Sequence, residues 1–248
     1  MPGYVWHLTH RCHRKQFLLK FLKDRRLWVR WLYEARRRFG LCVLDYHVTS
    51  NHVHLVVRDR GGGEIARSMQ LIAGRTGQQF NCRKDRRGAF WEDRYHATAI
   101  ENGEHLARCL VYIDLNMVRT GVVQHPSQWL TCGYHEIQNP PQRFRIIDRP
   151  ALADALGVQP RELSATHAEH IASALAAGTE ARIPEWSTSV AVGGRDFVER
   201  VATELGGRAR GRVFEPFEAG FILREPSADY RGVSASGNDG ASSKTRRC

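Results

Sequence analysis

LCVLDYHVTSNHVHLVVR, residues 41–58, is the stretch that decides the fold. Its halves, LCVLDYHVT (41–49) and HVHLVVR (52–58), are rich in apolar and β-branched residues, and the polar pair Ser50-Asn51 separates them. That pattern predicts two strands of an antiparallel hairpin. Side chains alternate along a strand, so His52 and His54 project to one face, close enough to share a metal ion. With 12 histidines in 248 residues, roughly 0.6 such pairs arise by chance. The pair therefore needs partners elsewhere in the chain.

Working outward, YVWHLT (4–9) has strand composition and is followed by a basic turn, RCHRK. FLLKFLKDRRLWVRWLYEARRRFG (17–40) places Phe21, Trp28, Leu32, Ala35 and Phe39 on one helical stripe and ends at Gly40. On the other side, EIARSMQLIAGRTGQQF (64–80) is a second amphipathic helix with Ile65, Met69 and Ile72 on its apolar face. AFWEDRYHATAI (89–100) predicts a fourth strand, and Asn102 caps a third helix that closes at Gly121. The order β-α-β-β-α-β-α predicts an α+β, ferredoxin-like (RRM-like) sandwich with a four-stranded antiparallel sheet.

Texture changes after about residue 135, where Asn139-Pro140-Pro141 marks a linker. The expected organisation is one domain over 1–140, a small helical C-terminal extension over 141–227, and a disordered Ser/Gly-rich tail over 228–248. Helices are expected at 150–156, 165–178 and 193–207.

The formal charge of +11 is concentrated at the start of the chain. Residues 1–40 hold eleven Lys or Arg against Asp24 and Glu34, so nine of the eleven excess charges lie there. A polyanion such as a nucleic-acid backbone is the simplest partner, with a solvated helix face as the alternative. No apolar run is long enough for a membrane span, and the N-terminus lacks a signal-peptide stretch, so a cytoplasmic location without membrane contact is expected. Six cysteines without a CxxC pair fit reduced thiols. Cys12, between His10 and His13, lacks the second ligand pair that zinc would need.

In LVYIDLNMVR, Tyr112 and Asn116 lie four apart on the third helix and so share a face. An amide oxygen suits magnesium or manganese, and two imidazoles favour manganese or another transition ion in addition. Such a ligand set leaves positions for a phosphate oxygen and water, and Tyr112 one turn away would be the nucleophile. Arg119 on the same helix supplies positive charge. The spacing alone favours Tyr112 as a core aromatic and Asn116 as a polar residue near the helix C-terminus.

Taken together, YHVTSNHVHLVV (46–57), GAFWEDRYHAT (88–98) and YIDLNMVRTGVV (112–123) resemble the single-tyrosine HUH transposases of insertion sequences, most closely the REP-associated tyrosine transposases. The similarity runs from about residue 4 to 135, and WSTSVAVGGRDFVER (186–200) weakly resembles a C-terminal extension found in some members. The resemblance implies a metal-dependent endonuclease and strand transferase acting on single-stranded or hairpin DNA. It makes Tyr112 the catalytic nucleophile, forming a covalent 5′-phosphotyrosine, and His52, His54 and Asn116 the ligands of a divalent metal, Mg2+ or Mn2+. Ser50 and Met117 stand where the family usually has proline, and Met117 would let the helix run on.

Arg11, Arg14, Lys15, Arg94 and Arg119 are candidates for DNA phosphate contact, and Trp91 and Tyr95, alternating on one strand face, for base stacking. The chain is expected to act as a monomer or homodimer. Alternative functions are a catalytically inactive ferredoxin-like DNA- or RNA-binding protein and a metal-dependent hydrolase that uses water in place of tyrosine.

Overall fold

Apolar alternation and helical stripes along the first half of the chain become elements in the expected order. A computed structural model describes residues 1–178, 183–218 and 220–226. Its first elements are β1 (Val5–Arg11), α1 (Leu22–Phe39), β2 (Cys42–Val48), β3 (His52–Arg58), α2 (Glu64–Arg83), β4 (His96–Ile100) and α3 (Glu104–Asp114). The four strands pair antiparallel in the order β2-β3-β1-β4, as the predicted sandwich requires. Trp28, Leu32 and Ala35 of α1 are fully buried, each spaced so as to lie on the stripe that faces the core. Gly40 closes α1 in the left-handed region, with its N–H on the Arg36 carbonyl.

The sheet, however, has seven strands rather than four. After the short helices α4 (Asn116–Arg119) and α5 (Tyr134–Gln138) come α6 (Arg149–Leu156), α7 (Leu163–Ala177), α8 (Glu185–Thr188), β5 (Ala191–Gly193), α9 (Arg195–Leu205), β6 (Val213–Phe217) and β7 (Gly220–Arg224). The full order is β2-β3-β1-β4-β5-β7-β6, with β5 parallel to β4. The C-terminal extension is thus not purely helical, since it adds three strands. The physical reason lies in β4, whose outer edge would otherwise leave backbone groups unpaired. Ala99 N–H donates to the Val190 carbonyl and Glu101 N–H to that of Val192.

The core is continuous across this join. A single buried cluster runs from Val5 and Leu8 through Leu152 and Leu163 to Trp186 and Ile222. A smaller one, around Ala99, Ala191, Val198 and Val201, seats α9 on the added strands. The tail expected to be disordered, 228–248, lies outside the described residues. Among the described residues, no helix is long and apolar enough to cross a membrane.

Two local expectations need correction. The fourth strand begins at His96, not at 89. Trp91 makes only an isolated bridge to Cys12, stacks on His10 with ring centroids 4.0 Å apart, and donates its indole N–H to the Ala73 carbonyl of α2. It packs against the sheet face opposite His54. The third helix is also divided, at Leu115, where ψ is 5°. The Arg119 guanidinium donates to the Tyr112 carbonyl at 2.6 Å, so that carbonyl is met by a side chain where an unbroken helix would use a backbone N–H.

Candidate active site

Strand register lines up one row of side chains across the sheet. His47 of β2 faces His54 of β3, His54 faces Thr9 of β1, and Thr9 faces His96 of β4. His52 and His54 share this face, with ring centroids 4.8 Å apart. His52 is half-buried at the strand start, whereas His54 is buried.

Hydrogen bonds fix which nitrogen of each ring carries the proton. His7 Nδ1 lies 2.7 Å from the carbonyl oxygen of Trp186, which can only accept, so Nδ1 is protonated. Burial lowers the His7 pKa to about 4, and the ring is neutral. Its Nε2, 2.9 Å from His54 Nδ1, therefore accepts. That leaves His54, whose own pKa is pushed well down by burial and then by His52, with its proton on Nδ1 and a lone pair on Nε2. At His52, Nδ1 donates to Asn51 Oδ1 at 2.7 Å, so in the neutral ring the lone pair is on Nε2. Both imidazoles present the tautomer a metal ligand requires, each oriented by a hydrogen-bonded partner behind it.

Helix α3 lies over this face because Leu106, Cys109, Leu110 and Ile113 are buried against the sheet. Tyr112 is carried with them, its ring edge-on to His54 at 6.2 Å between centroids. The Arg119 guanidinium sits over the Tyr112 ring at 4.2 Å, and the phenol oxygen is 3.5 Å from Ser187 Oγ. Asn116 places its amide 3.2 Å from His54 Nε2. This is the amide that would turn its oxygen to a shared cation, so the three donors fit a divalent ion.

The four residues open on a cleft of about 820 Å3 that Arg11, Lys15, Arg94 and Arg119 also line. Arg14 does not line it. That residue occupies the turn after β1 with φ 50°, exposed to solvent. Nor is the cleft uniformly basic, because Glu92, Asp93 and Glu225 share its wall and Arg11 lies 4.0 Å from Glu92.

Sequence reasoning missed His7 and the 186–189 segment. Trp186 supplies the carbonyl behind His7, Ser187 meets Tyr112, and the Ser189 carbonyl accepts from Thr98 Oγ1 at 2.7 Å. Alternation along YVWHLT was the one available signal, since it puts His7 on the same face as Thr9. Nothing local tied it to a tryptophan carbonyl 179 positions away.

Comparison with known proteins now bears on this geometry. Residues 4–116 match the family model described as "Transposase IS200 like", a stretch that begins just before β1 and ends at Asn116. The transposase resemblance is thereby shown over that stretch. The chain is also similar to a solved REP-associated tyrosine transposase bound to a REP hairpin, at 20% identity, with 55% of this chain and 80% of that one covered and a TM-score of 0.47. A search of curated proteins gave no match.

Proposed function

We propose that the chain nicks and rejoins single-stranded DNA, including hairpin DNA, through a covalent bond to Tyr112, acting in the cytoplasm. The observation that carries this reading is the convergence of two Nε2 lone pairs, an amide and a phenol in one cleft. His52, His54 and Asn116 would hold Mg2+ or Mn2+, which when bound supplies Lewis-acid polarisation of a phosphate.

Tyr112 Oη attacks phosphorus, an O–P bond forms, and the P–O3′ bond breaks. The departing 3′ oxygen takes up a proton, while the tyrosine hydroxyl loses one. The bond energy of the phosphodiester is retained in the phosphotyrosine, so a second 3′-hydroxyl can displace Tyr112 and rejoin strands without ATP. Arg119, over the ring, supplies positive charge beside the reacting phosphate. Arg11, Lys15 and Arg94 around the cleft, with Arg14 beside it, hold the backbone of the strand.

The test is to incubate the protein with hairpin-bearing single-stranded DNA and manganese, denature it, and look for a protein–DNA band. A band is expected, and Tyr112→Phe should remove it. Cleavage that survives in the phenylalanine variant would establish a hydrolase using water. Binding without cleavage at every metal concentration would establish a catalytically inactive nucleic-acid-binding protein.

A further inference from the structure

Beside the cleft, on the same sheet face, lies a group of side chains that the nicking chemistry does not use. His47, Asp114 and Cys132 each offer one ligand atom, these atoms all lie within 4.8 Å of one another, and all three residues are buried. They come from three distant segments: the end of β2, the last residue of α3, and the turn that follows Thr131. An isolated antiparallel bridge joins His47 to Cys132.

These groups are underserved. Among the described residues, neither ring nitrogen of His47 has a hydrogen-bond partner, and the Asp114 carboxylate meets only the His167 ring. Asp45, two residues before His47 on the same strand face, is fully buried with both carboxylate oxygens equally unpartnered. Buried polar atoms in a native fold are normally satisfied, and two buried carboxylates side by side call for a cation or shared protons. No lysine or arginine makes an ion pair with Asp45 or Asp114 among the described residues; the ion-pair neighbour is His167, whose Nε2 is 2.9 Å from Asp114 Oδ2. Gln138 Nε2 donates to His167 Nδ1 at 3.0 Å, so Nε2 carries the proton and orients the Asp114 carboxylate.

We infer that His47, Asp114 and Cys132 form a second, buried metal site of the zinc class, which pins the end of the tyrosine helix to β2. A mixed nitrogen, sulfur and oxygen set selects zinc over magnesium or calcium. Zinc bonds of about 2.0–2.3 Å put neighbouring ligand atoms roughly 3.5 Å apart, so the observed spread leaves on the order of 1 Å for side chains to close. The His47 ring is already held parallel to Trp129, at 6.4 Å and 2°. Cys132 Sγ lies 3.0 Å from the Trp129 carbonyl and 3.8 Å from that of Pro126. Its thiol proton therefore rests on a carbonyl without the ion, and binding releases that proton to solvent as the thiolate takes the metal. Asp45 supplies the further negative charge that balances the ion.

Cobalt(II) tests this without reference to DNA cleavage. The purified full chain, stripped with a chelator, is titrated with Co2+, and thiolate-to-cobalt charge transfer is read in the near-ultraviolet. One equivalent should give the band, Cys132→Ser should lose it, and His52→Ala, which alters only the cleft, should keep it. Zinc in excess should raise the melting midpoint of the stripped protein by about 5–10 °C. Loss of the band in His52→Ala would show that the thiolate site does not stand independently of the cleft and would overturn it as a second site. A band that survives in Cys132→Ser, or a folded wild-type protein that gives neither band nor melting shift, would overturn the site and leave a proton-sharing network in its place.

Discussion

His47 and His54 face each other across one rung of the sheet, yet their surroundings differ in kind. Around His54 every polar contact has a direction: Trp186 fixes His7, His7 fixes His54, and the remaining lone pair looks toward Asn116 and the cleft. Around His47 the polar atoms are sealed from solvent, and neither of its ring nitrogens has a hydrogen-bond partner among the described residues. The contrast separates two ways of preparing a site. In the first, hydrogen bonds preset a tautomer and leave the lone pair open to the cleft. In the second, burial sets aside a cluster that only a cation or protons can balance.

The comparison is broken most severely at its open side. His54→Ala should lower cleavage by on the order of 10^3-fold or more, while affinity for DNA measured without metal changes by less than about threefold, because phosphate contacts supply it. Equal losses in a gel-shift and a cleavage assay would show that the histidine serves binding alone.

Next in size is an acid effect on the sheet's other face. Burial lowers the His10 pKa to about 4, against an ordinary value of 6.5, with the Asp93 carbonyl contact opposing it. The unfolded chain then binds more protons than the native one between these values, so stability present above pH 6.5 is lost as pH falls toward 4, by roughly 3 kcal/mol from this residue. Urea titrations across that range should show a shallower loss for His10→Gln. An unchanged slope would mean that the ring is not held neutral by the fold.

His7→Gln removes the ring that orients His54 without removing a ligand. It should weaken manganese binding by about 10–100-fold, with the circular dichroism spectrum intact. Wild-type affinity in that variant would show that the His7 relay has no part in metal binding. The smallest effect belongs to the sealed side. Burial and then the neighbouring Asp114 push the Asp45 carboxyl well above its usual range, so Asp45→Asn should stabilise the metal-free protein at neutral pH by about 1 kcal/mol in urea unfolding. Destabilisation would show that the carboxyl group makes a favourable contact that asparagine cannot replace.

Much of the first half of the molecule was legible in the sequence because its signals are local. Strand alternation set His52 and His54 on one face, and helical spacing set Tyr112 over Asn116. The stripe of Trp28, Leu32 and Ala35 located α1. The rest is not local. β5 is three residues long between polar and glycine-rich neighbours, β6 contains Pro216, and the parallel pairing of β5 with β4 joins residues about ninety positions apart. AFWEDRY looks like strand by composition, yet Trp91 found a better partner in His10 and α2. The sealed cluster likewise draws on three segments, and a lone histidine, aspartate and cysteine carry no spacing that a reader could use.

The carbonyl behind His7 ties the site to time as well as to space. Trp186 follows His7 by 179 positions, so at ribosomal rates of about 5–20 residues per second it emerges roughly 10–35 s later. For the part of that interval after Tyr112 is made, roughly 4–15 s, the nascent chain possesses its histidine pair and its tyrosine but not the group that orders them. The alignment of the histidine pair therefore waits on a segment made well after the pair itself.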